Sequence, residues 1–247
     1  MRTIVLLFLL GFGSNESSQI IEKLYYSINN EFSVLIFTKT NGFVHHQAIS
    51  AGVKMIPNIG EKNKFNVYHT NNSKDINEEN LKKFKSIIFL NTTLNVLDET
   101  EQKAFKNFIR KGGGFIGIHS AADTEYDWPW YGKLVGGYFK SHPSVQKAQI
   151  KTINKNHIST LHLDDTWEIE EEWYNFKEIN PNIIVLLNLD ETSYKGGENG
   201  HNHPITWYHN YDGGKSFYTG LGHKPETYSD ERFIQLLTGG ILYTIQD

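Results

Sequence analysis

The sequence contains no cysteine among its 247 residues. This absence excludes disulfide bonds, thiolate nucleophiles and zinc sites with cysteine ligands, so any metal site must use histidine and carboxylate side chains. The sequence also lacks a tract of basic residues, and 24 lysines and arginines against 28 aspartates and glutamates give a net charge of −4. Nucleic acids and anionic membranes are therefore poor candidates for its partners.

Long apolar runs are missing as well, apart from a short one near the N-terminus. Residues 4–10 are all apolar, follow Arg2, and lead into the small and polar residues 11–18. This order is typical of a secretory signal peptide, and the run is too short to span a bilayer. We therefore expect residues 1–18 to be a signal peptide, residues 19–247 to form a single domain, and the protein to be exported to the periplasm or secreted. The alternative interpretation is that residues 4–10 form a first core strand.

Strand and helix patterns alternate along the first half of the chain. Apolar runs at residues 34–37, 87–90 and 115–119 predict strands buried on both faces, and residues 65–69 predict another. Helices are predicted between them, at residues 46–59, at residues 78–84 and after Asp98. Alternation of this kind implies right-handed βαβ units and a parallel sheet.

The clearest helix signal is the capping-box spacing of Asp98 and Glu101. Apolar residues at 104, 105, 108 and 109 then fall on one helical face, and the glycines at 112–114 end the helix. The second half instead predicts strands separated by loops and a closing helix over residues 229–245. We expect an α/β domain with a mostly parallel sheet, helices on both faces and a loop- and strand-rich second half.

His119 lies at the end of the strand that follows these glycines. Ligands of open parallel sheets bind outside the carboxyl ends of the strands. Residues 112–119 resemble the approach to a nucleophile elbow, with a histidine where a serine or cysteine would stand. Asp123 follows within a turn or two of chain, so we expect the site to be centred here.

Other histidines and acids recur near predicted strand ends. His45 follows the first strand, the proline after His142 holds that residue extended, and His223 lies between glycine-rich residues and Lys224. His203 lies two residues after His201, a spacing that suits a metal or an acid–base pair in an extended segment. In a strand, Glu170 and Glu172 share one face, so that one acid of the 170–172 run could face a pocket.

Aromatic residues lie close to these histidines in sequence. All five tryptophans fall in the second half of the chain, and amphipathic rings beside polar groups suit a sugar ligand. The residues expected to contact a sugar are Trp128, Trp130, Tyr174 and Trp207. The alternative interpretation is that these rings pack in the core.

The motifs together resemble the trehalose-utilisation (ThuA-like) family. The resemblance is carried by Gly-Gly-Gly-Phe-Ile-Gly-Ile-His-Ser-Ala at residues 112–121, Asp-Trp-Pro-Trp-Tyr at 127–131, Leu-Val-Gly-Gly at 134–137, Phe-Lys-Ser-His-Pro at 139–143, Glu-Trp-Tyr at 172–174, His-Pro at 203–204 and Phe-Tyr-Thr-Gly-Leu-Gly-His at 217–223. It runs from about residue 33 to the C-terminus, and the one departure is Glu171, where an aspartate is more typical. It implies a flavodoxin-like, class I glutamine-amidotransferase-like fold and the use of trehalose and related disaccharides through 3-keto-sugars. Glutaminase activity is excluded because no cysteine nucleophile is present.

A mechanism for such a substrate needs a base, an acid and a group that stabilises an enolate. We expect His119 or Glu172 to be the base and His203 or His142 the acid. His45 and His223 would bind the sugar or a divalent metal, with Asp123 also at the substrate.

Two other interpretations stay open from the sequence. A non-catalytic sugar-binding module would need the tryptophans but not the histidines, and glycoside hydrolysis would need two carboxylates. The expected partner is a small carbohydrate in either case, and a homo-oligomer is left open.

Overall fold

Most strands belong to one large sheet in the computed structural model, which describes residues 32–246. The strands are β1 Ser33–Phe37, β2 Asn66–Thr70, β3 Ser86–Leu90, β4 Gly114–Ile118, β5 Tyr138–Ser141, β6 Gln146–Thr152, β7 Thr166–Glu171, β8 Asn175–Lys177, β9 Ile184–Leu189, β10 His203–Tyr211 and β11 Gly214–Thr219. The helices are α1 His46–Asn63, α2 Glu78–Leu81, α3 Glu99–Arg110, α4 Pro129–Val135 and α5 Glu231–Ile245.

The large sheet is parallel in one half and antiparallel in the other. Its strand order is β2-β1-β3-β4-β11-β10-β9-β6-β7, and the first five of these strands run parallel. Every residue of β3 and β4 is buried, as their continuous apolar runs predict. The remaining strands pair antiparallel, while β5 and β8 form a separate small sheet.

Helices cover both faces of the parallel half, as predicted. Phe105 of α3 and Tyr131 of α4 pack on Phe89 and Phe115 on one face. On the other face α5 lies so close to β11 that a Cβ at Gly240 would come within 2.6 Å of the Phe217 ring. The core therefore consists of two layers of side chains, one on each face of the sheet.

The capping box predicted for α3 is confirmed. The Asp98 carboxylate accepts a hydrogen bond from the Glu101 backbone N–H at 2.9 Å, and the Glu101 carboxylate accepts one from the Asp98 N–H at 2.9 Å. The helix ends before Gly112, whose φ of 93° lies in the left-handed region that glycine adopts without strain.

Several strands and helices begin or end at residues other than those predicted. The fourth strand ends at Ile118 rather than at His119, the closing helix begins at Glu231, and α4, β5, β7 and β8 were not predicted as such. Pro129 occupies the first turn of α4, a position typical of proline, inside the run of rings expected to bind sugar.

The predicted signal peptide over residues 1–18 lies outside the described residues and stays a prediction. Within residues 32–246, no helix combines the length and the apolar character needed to cross a bilayer.

Candidate functional site

Four polar side chains converge at the carboxyl ends of the parallel strands. They come from His45, which precedes α1, His119, which follows β4, Glu172, which follows β7, and His223, in the loop after β11. One nitrogen or oxygen atom of each lies within 4.8 Å of the corresponding atoms of the other three. We call these four residues the His/Glu cluster; three are buried and His223 is partly exposed.

Glu172 reaches this cluster because the antiparallel half of the sheet curls back. In the strand order β7 lies four positions from β11, which in a flat sheet would separate them by roughly 19 Å. The Glu171 carboxylate nevertheless accepts a hydrogen bond from the Gly222 N–H at 3.0 Å, so the end of β7 touches the loop after β11. The site therefore combines side chains from both halves of the sheet.

The imidazole of His119 is held by its backbone and by one carbonyl. Its φ of 50° is in the left-handed region, which is uncommon for a residue other than glycine. The ring nitrogen Nδ1 lies 2.9 Å from the Gly220 carbonyl oxygen, and since a carbonyl only accepts, Nδ1 carries the proton. The other nitrogen, Nε2, lies 3.3 Å from Oε2 of Glu172.

Glu172 is the shared partner of three histidines. Its carboxylate oxygens lie 3.3 Å from His119 Nε2, 3.3 Å from His223 Nδ1 and 3.2 Å from His142 Nδ1. Burial alone would raise the pKa of Glu172, but the hydrogen bond with His119, the polar contact with His223 and the charge of those rings when protonated outweigh it and hold the pKa well below its ordinary value. The acid is therefore a carboxylate over the whole physiological range.

Burial, the neighbouring histidines and this carboxylate together set the pKa values of the other rings. Burial and then repulsion by His119 and His223 lower the pKa of His45 to about 3. Burial acts in the same direction on His223, yet the Glu172 carboxylate outweighs it and raises the pKa of His223. The cluster thus favours one positive charge beside the carboxylate and disfavours several.

Glu171 points away from Glu172 and holds the backbone around the cluster. Its buried carboxylate accepts hydrogen bonds from the N–H groups of Gly222 at 3.0 Å and His223 at 3.2 Å, and from the Thr227 hydroxyl. The run of three acids at residues 170–172 is the sequence signal for this role, because adjacent side chains of an extended segment point to opposite faces. Glu170 lies on the surface and pairs with Lys224, so only Glu172 of the run faces the site.

His142 is the exposed side chain beside the cluster, and the partly buried Phe139 and the buried Tyr174 pack next to it. The His142 side chain is 43% exposed, and its Nδ1 lies 2.9 Å from the Pro143 carbonyl oxygen. The Tyr174 ring packs on His119 with centroids 4.2 Å apart and on Phe139 at 4.3 Å. Phe139 was not singled out from the sequence, because an apolar residue in a short strand carries no sign of a site.

A family comparison agrees with this arrangement of motifs. The family model described as trehalose utilisation (ThuA) matches residues 33–244. This chain belongs to the ThuA family. The comparison with curated proteins gives no match.

Solved structures of ThuA-like proteins share its fold. A ThuA-like protein from Bacteroides uniformis is 26% identical with a TM-score of 0.76, and the match covers 87% of this chain and 91% of that one. A ThuA-like protein from Parabacteroides merdae is 16% identical with a TM-score of 0.71, covering 88% and 91%. PurLQS from Thermotoga maritima, at 12% identity and a TM-score of 0.54, covers 87% and 99%. The expected α/β fold of the class I glutamine-amidotransferase-like type is thereby confirmed.

Two residues expected at the site lie behind it in this ThuA family member. Both ring nitrogens of His203 bond to protein atoms, Nδ1 to the Glu191 carboxylate at 2.8 Å and Nε2 to the Tyr174 carbonyl oxygen at 2.8 Å. His203 is fully buried, and its bond to the Tyr174 carbonyl oxygen connects it to the backbone beside the site. Trp207 is also fully buried, and its indole N–H donates to the Val135 carbonyl oxygen at 2.8 Å.

Trp128 and Trp130 lie at the opposite end of the sheet. Their rings stack on each other with centroids 4.8 Å apart, and the indole N–H of Trp130 donates to Asp212 at 2.7 Å. Asp212 is in the turn before β11, whereas the cluster lies after the other end of that strand. The core-packing interpretation therefore describes these tryptophans better than the sugar-binding one.

Asp123 lies beside the cluster without joining it. Its carboxylate accepts a hydrogen bond from the Tyr126 hydroxyl at 2.6 Å. Burial raises the pKa of Asp123, opposed by this hydrogen bond and by His119.

Proposed function

We propose that this protein is an enzyme that processes a small carbohydrate, a 3-keto-glycoside or 3-keto-disaccharide, by acid–base chemistry at the His/Glu cluster. The observation that carries the proposal is the position of His142, a half-exposed imidazole held against a buried carboxylate at the mouth of the cluster. Membership of the trehalose utilisation family supports a carbohydrate as the substrate.

His142 is suited to exchange a proton with a bound substrate. Its Nδ1 faces two acceptors, the Pro143 carbonyl oxygen at 2.9 Å and the Glu172 carboxylate at 3.2 Å, so that the proton resides on Nδ1. The remaining nitrogen, Nε2, can then accept a proton from carbon and return it to oxygen, as a general base and acid must.

The reaction proceeds by elimination followed by hydration. The carbonyl at C3 acidifies the proton on C2; when His142 removes that proton, the C–H electrons form an enolate. The electrons then return to expel the aglycone oxygen from C1, which takes the proton from His142. Water adds to C1 of the resulting enone, and C2 regains a proton.

The enolate oxygen needs positive charge close to it. The His/Glu cluster, which His142 contacts through Glu172, can supply this charge. The cluster can carry that charge as a protonated imidazole or as a bound cation. Phe139, which is partly exposed and packs on the buried Tyr174 ring, would form the wall against which the sugar ring packs.

The first prediction concerns His142. Purified protein should convert 3-keto-trehalose to glucose and a 3-keto-hexose, detected by mass spectrometry. Replacing the ring by an amide removes the proton carrier, so H142N should lower turnover by about 10²- to 10⁴-fold while binding is largely kept.

The matched control is H162N, since His162 bonds to the Arg232 carbonyl oxygen away from the cluster and should leave turnover unchanged. Unaltered turnover in H142N would contradict the proposal. Binding of the sugar without turnover by the unmodified protein would favour the sugar-binding module instead.

A further inference from the structure

We propose that the His/Glu cluster binds one divalent transition-metal ion through the imidazoles of His45, His119 and His223 and the carboxylate of Glu172. The catalytic role of this ion rests on the function proposed above, but its binding does not. Within residues 32–246, these are the residues whose donor atoms meet the distance expected of a single ion.

The donor separations match a tetrahedral site. Ligand bonds of about 2.0–2.1 Å place neighbouring donors of a tetrahedral ion about 3.3 Å apart. His119 Nε2 and His223 Nδ1 each lie 3.3 Å from Oε2 of Glu172. The full set lies within 4.8 Å, so side-chain shifts of about 1 Å would close the tetrahedron.

The nitrogen and oxygen positions also favour a cation. Because Nδ1 of His119 donates to the Gly220 carbonyl oxygen, Nε2 is the nitrogen that faces the Glu172 carboxylate, and in a neutral ring it carries a lone pair. His223 Nδ1 is buried without a hydrogen bond, although it lies 3.3 Å from the same oxygen. When both rings are neutral, two nitrogen lone pairs and one anionic oxygen face each other, and an ion among them would stabilise this arrangement.

Protons alone satisfy this arrangement poorly. The three ring centroids lie 5.0 Å apart for His45 and His119, and 5.2 Å for each ring and His223. Two imidazolium rings at such separations repel each other, and only one carboxylate offsets them. One divalent ion with neutral rings avoids this repulsion and supplies the charge that an enolate needs.

The surroundings resemble those of protein metal sites. Ligating histidines usually donate their other ring nitrogen to a carbonyl or carboxylate, as His119 does to Gly220. The loop that carries His223 is held by Glu171 through two backbone N–H groups. His142 steadies the second oxygen of Glu172.

The donor set selects the class of ion. Three nitrogens and one oxygen suit Zn²⁺, Co²⁺, Fe²⁺ or Ni²⁺, whereas Mg²⁺ and Ca²⁺ need mainly oxygen ligands. Thiolate ligands are excluded because the chain has no cysteine.

The test is metal binding by untagged, full-length protein after treatment with a chelator. Isothermal titration with Zn²⁺ should give one site per chain and no site for Mg²⁺. Co²⁺ should give the visible absorption of a tetrahedral ion. H223A and E172Q should weaken Zn²⁺ binding at least about 100-fold, while H201A, which removes an exposed histidine outside the cluster, should not change it.

Circular dichroism of each variant establishes that it is folded. Absence of stoichiometric Zn²⁺ and Co²⁺ binding by the folded protein would overturn the proposal, as would equal affinities of H223A and H201A. Turnover of 3-keto-trehalose by metal-free protein would overturn the catalytic role of the ion and leave the proposed function. Binding of one ion without turnover of any 3-keto-glycoside would overturn the proposed function and leave the metal site.

Discussion

His119 combines an unfavourable backbone conformation with strong local support. Two contacts, with β11 and with the loop after it, stabilise its left-handed φ. The Tyr218 hydroxyl donates to the His119 carbonyl oxygen at 2.7 Å, and the His119 ring donates to the Gly220 carbonyl oxygen. Gly117, two residues earlier, leaves room for Tyr218, because a Cβ there would come within 2.9 Å of that ring. With this backbone conformation, the imidazole of His119 lies in the cluster just beyond the end of β4.

A second buried histidine, His157, gives a prediction about stability at the residue scale. Its ring stacks on Tyr208 with centroids 4.3 Å apart, its Nε2 has no partner, and burial lowers its pKa to about 4. The unfolded chain therefore binds a proton at higher pH than the folded one. The contribution of His157 to the free energy of unfolding is fully present above pH 6.5 and is lost as pH falls from 6.5 toward 4.

The measurement is urea unfolding at pH 7, 6 and 5. For one group the loss approaches about 1.4 kcal/mol per pH unit, and H157N should lack this part of the slope. H162N serves as the control, since His162 lies in a half-exposed position. Identical slopes for H157N and the unmodified protein would exclude His157 as the source.

At the scale of elements, the loop at residues 220–223 connects the two parts of the site. Its Gly220 carbonyl orients His119, its His223 ring faces Glu172, and Glu171 at the end of β7 accepts from its backbone. One short loop after β11 thereby contacts donors that follow two other strands, β4 and β7.

Replacing Glu171 tests this arrangement. In E171Q an NH₂ group takes the place of one acceptor oxygen and faces backbone N–H groups, so His223 should lose its fixed position. We expect Zn²⁺ binding to weaken by about 10- to 100-fold, in the range of outer-shell substitutions. The measurement is Zn²⁺ titration of the folded variant.

E170Q is the matched control, because Glu170 is the preceding residue but pairs with Lys224 on the surface. Equal affinities of E170Q and E171Q would show that Glu171 does not position the cluster.

The elements themselves differ in how far the sequence predicts them. The capping box of α3 and the apolar strands β3 and β4 depend on residues within a few positions of one another, and they were predicted. The helix α4 and the strand β7 were not, because Trp128 and Trp130 looked like ligand contacts and acids dominate β7. Packing against β4 and β6 stabilises these segments and overrides their local pattern.

For the molecule as a whole, a bound ion would join the parallel and antiparallel halves of the sheet. His45, His119 and His223 follow strands of the first half, and Glu172 follows β7 of the second. Zn²⁺ at about 100 times its dissociation constant should therefore raise the free energy of unfolding by about 2.7 kcal/mol. For a domain of this size the melting temperature should rise by about 5–10 °C, measured by calorimetry.

Mg²⁺ at the same concentration should leave the melting temperature unchanged. H223A should show little of the increase with Zn²⁺. A shift of the same size in H223A would mean that the stabilising ion binds elsewhere.

The sequence by itself determined the local elements of the first half, the exclusion of thiol chemistry, and the position of His119 at the carboxyl end of a parallel strand. Each follows from neighbouring residues or from composition alone. Only the tertiary structure decided which histidines share a site with it. His45 and His223 join because β1 and β11 lie in the same parallel array as β4, and Glu172 joins because the antiparallel strands curl back. His203 and Trp207 resemble site residues equally well in sequence, but the packing of β10 against its neighbours buries both in the core.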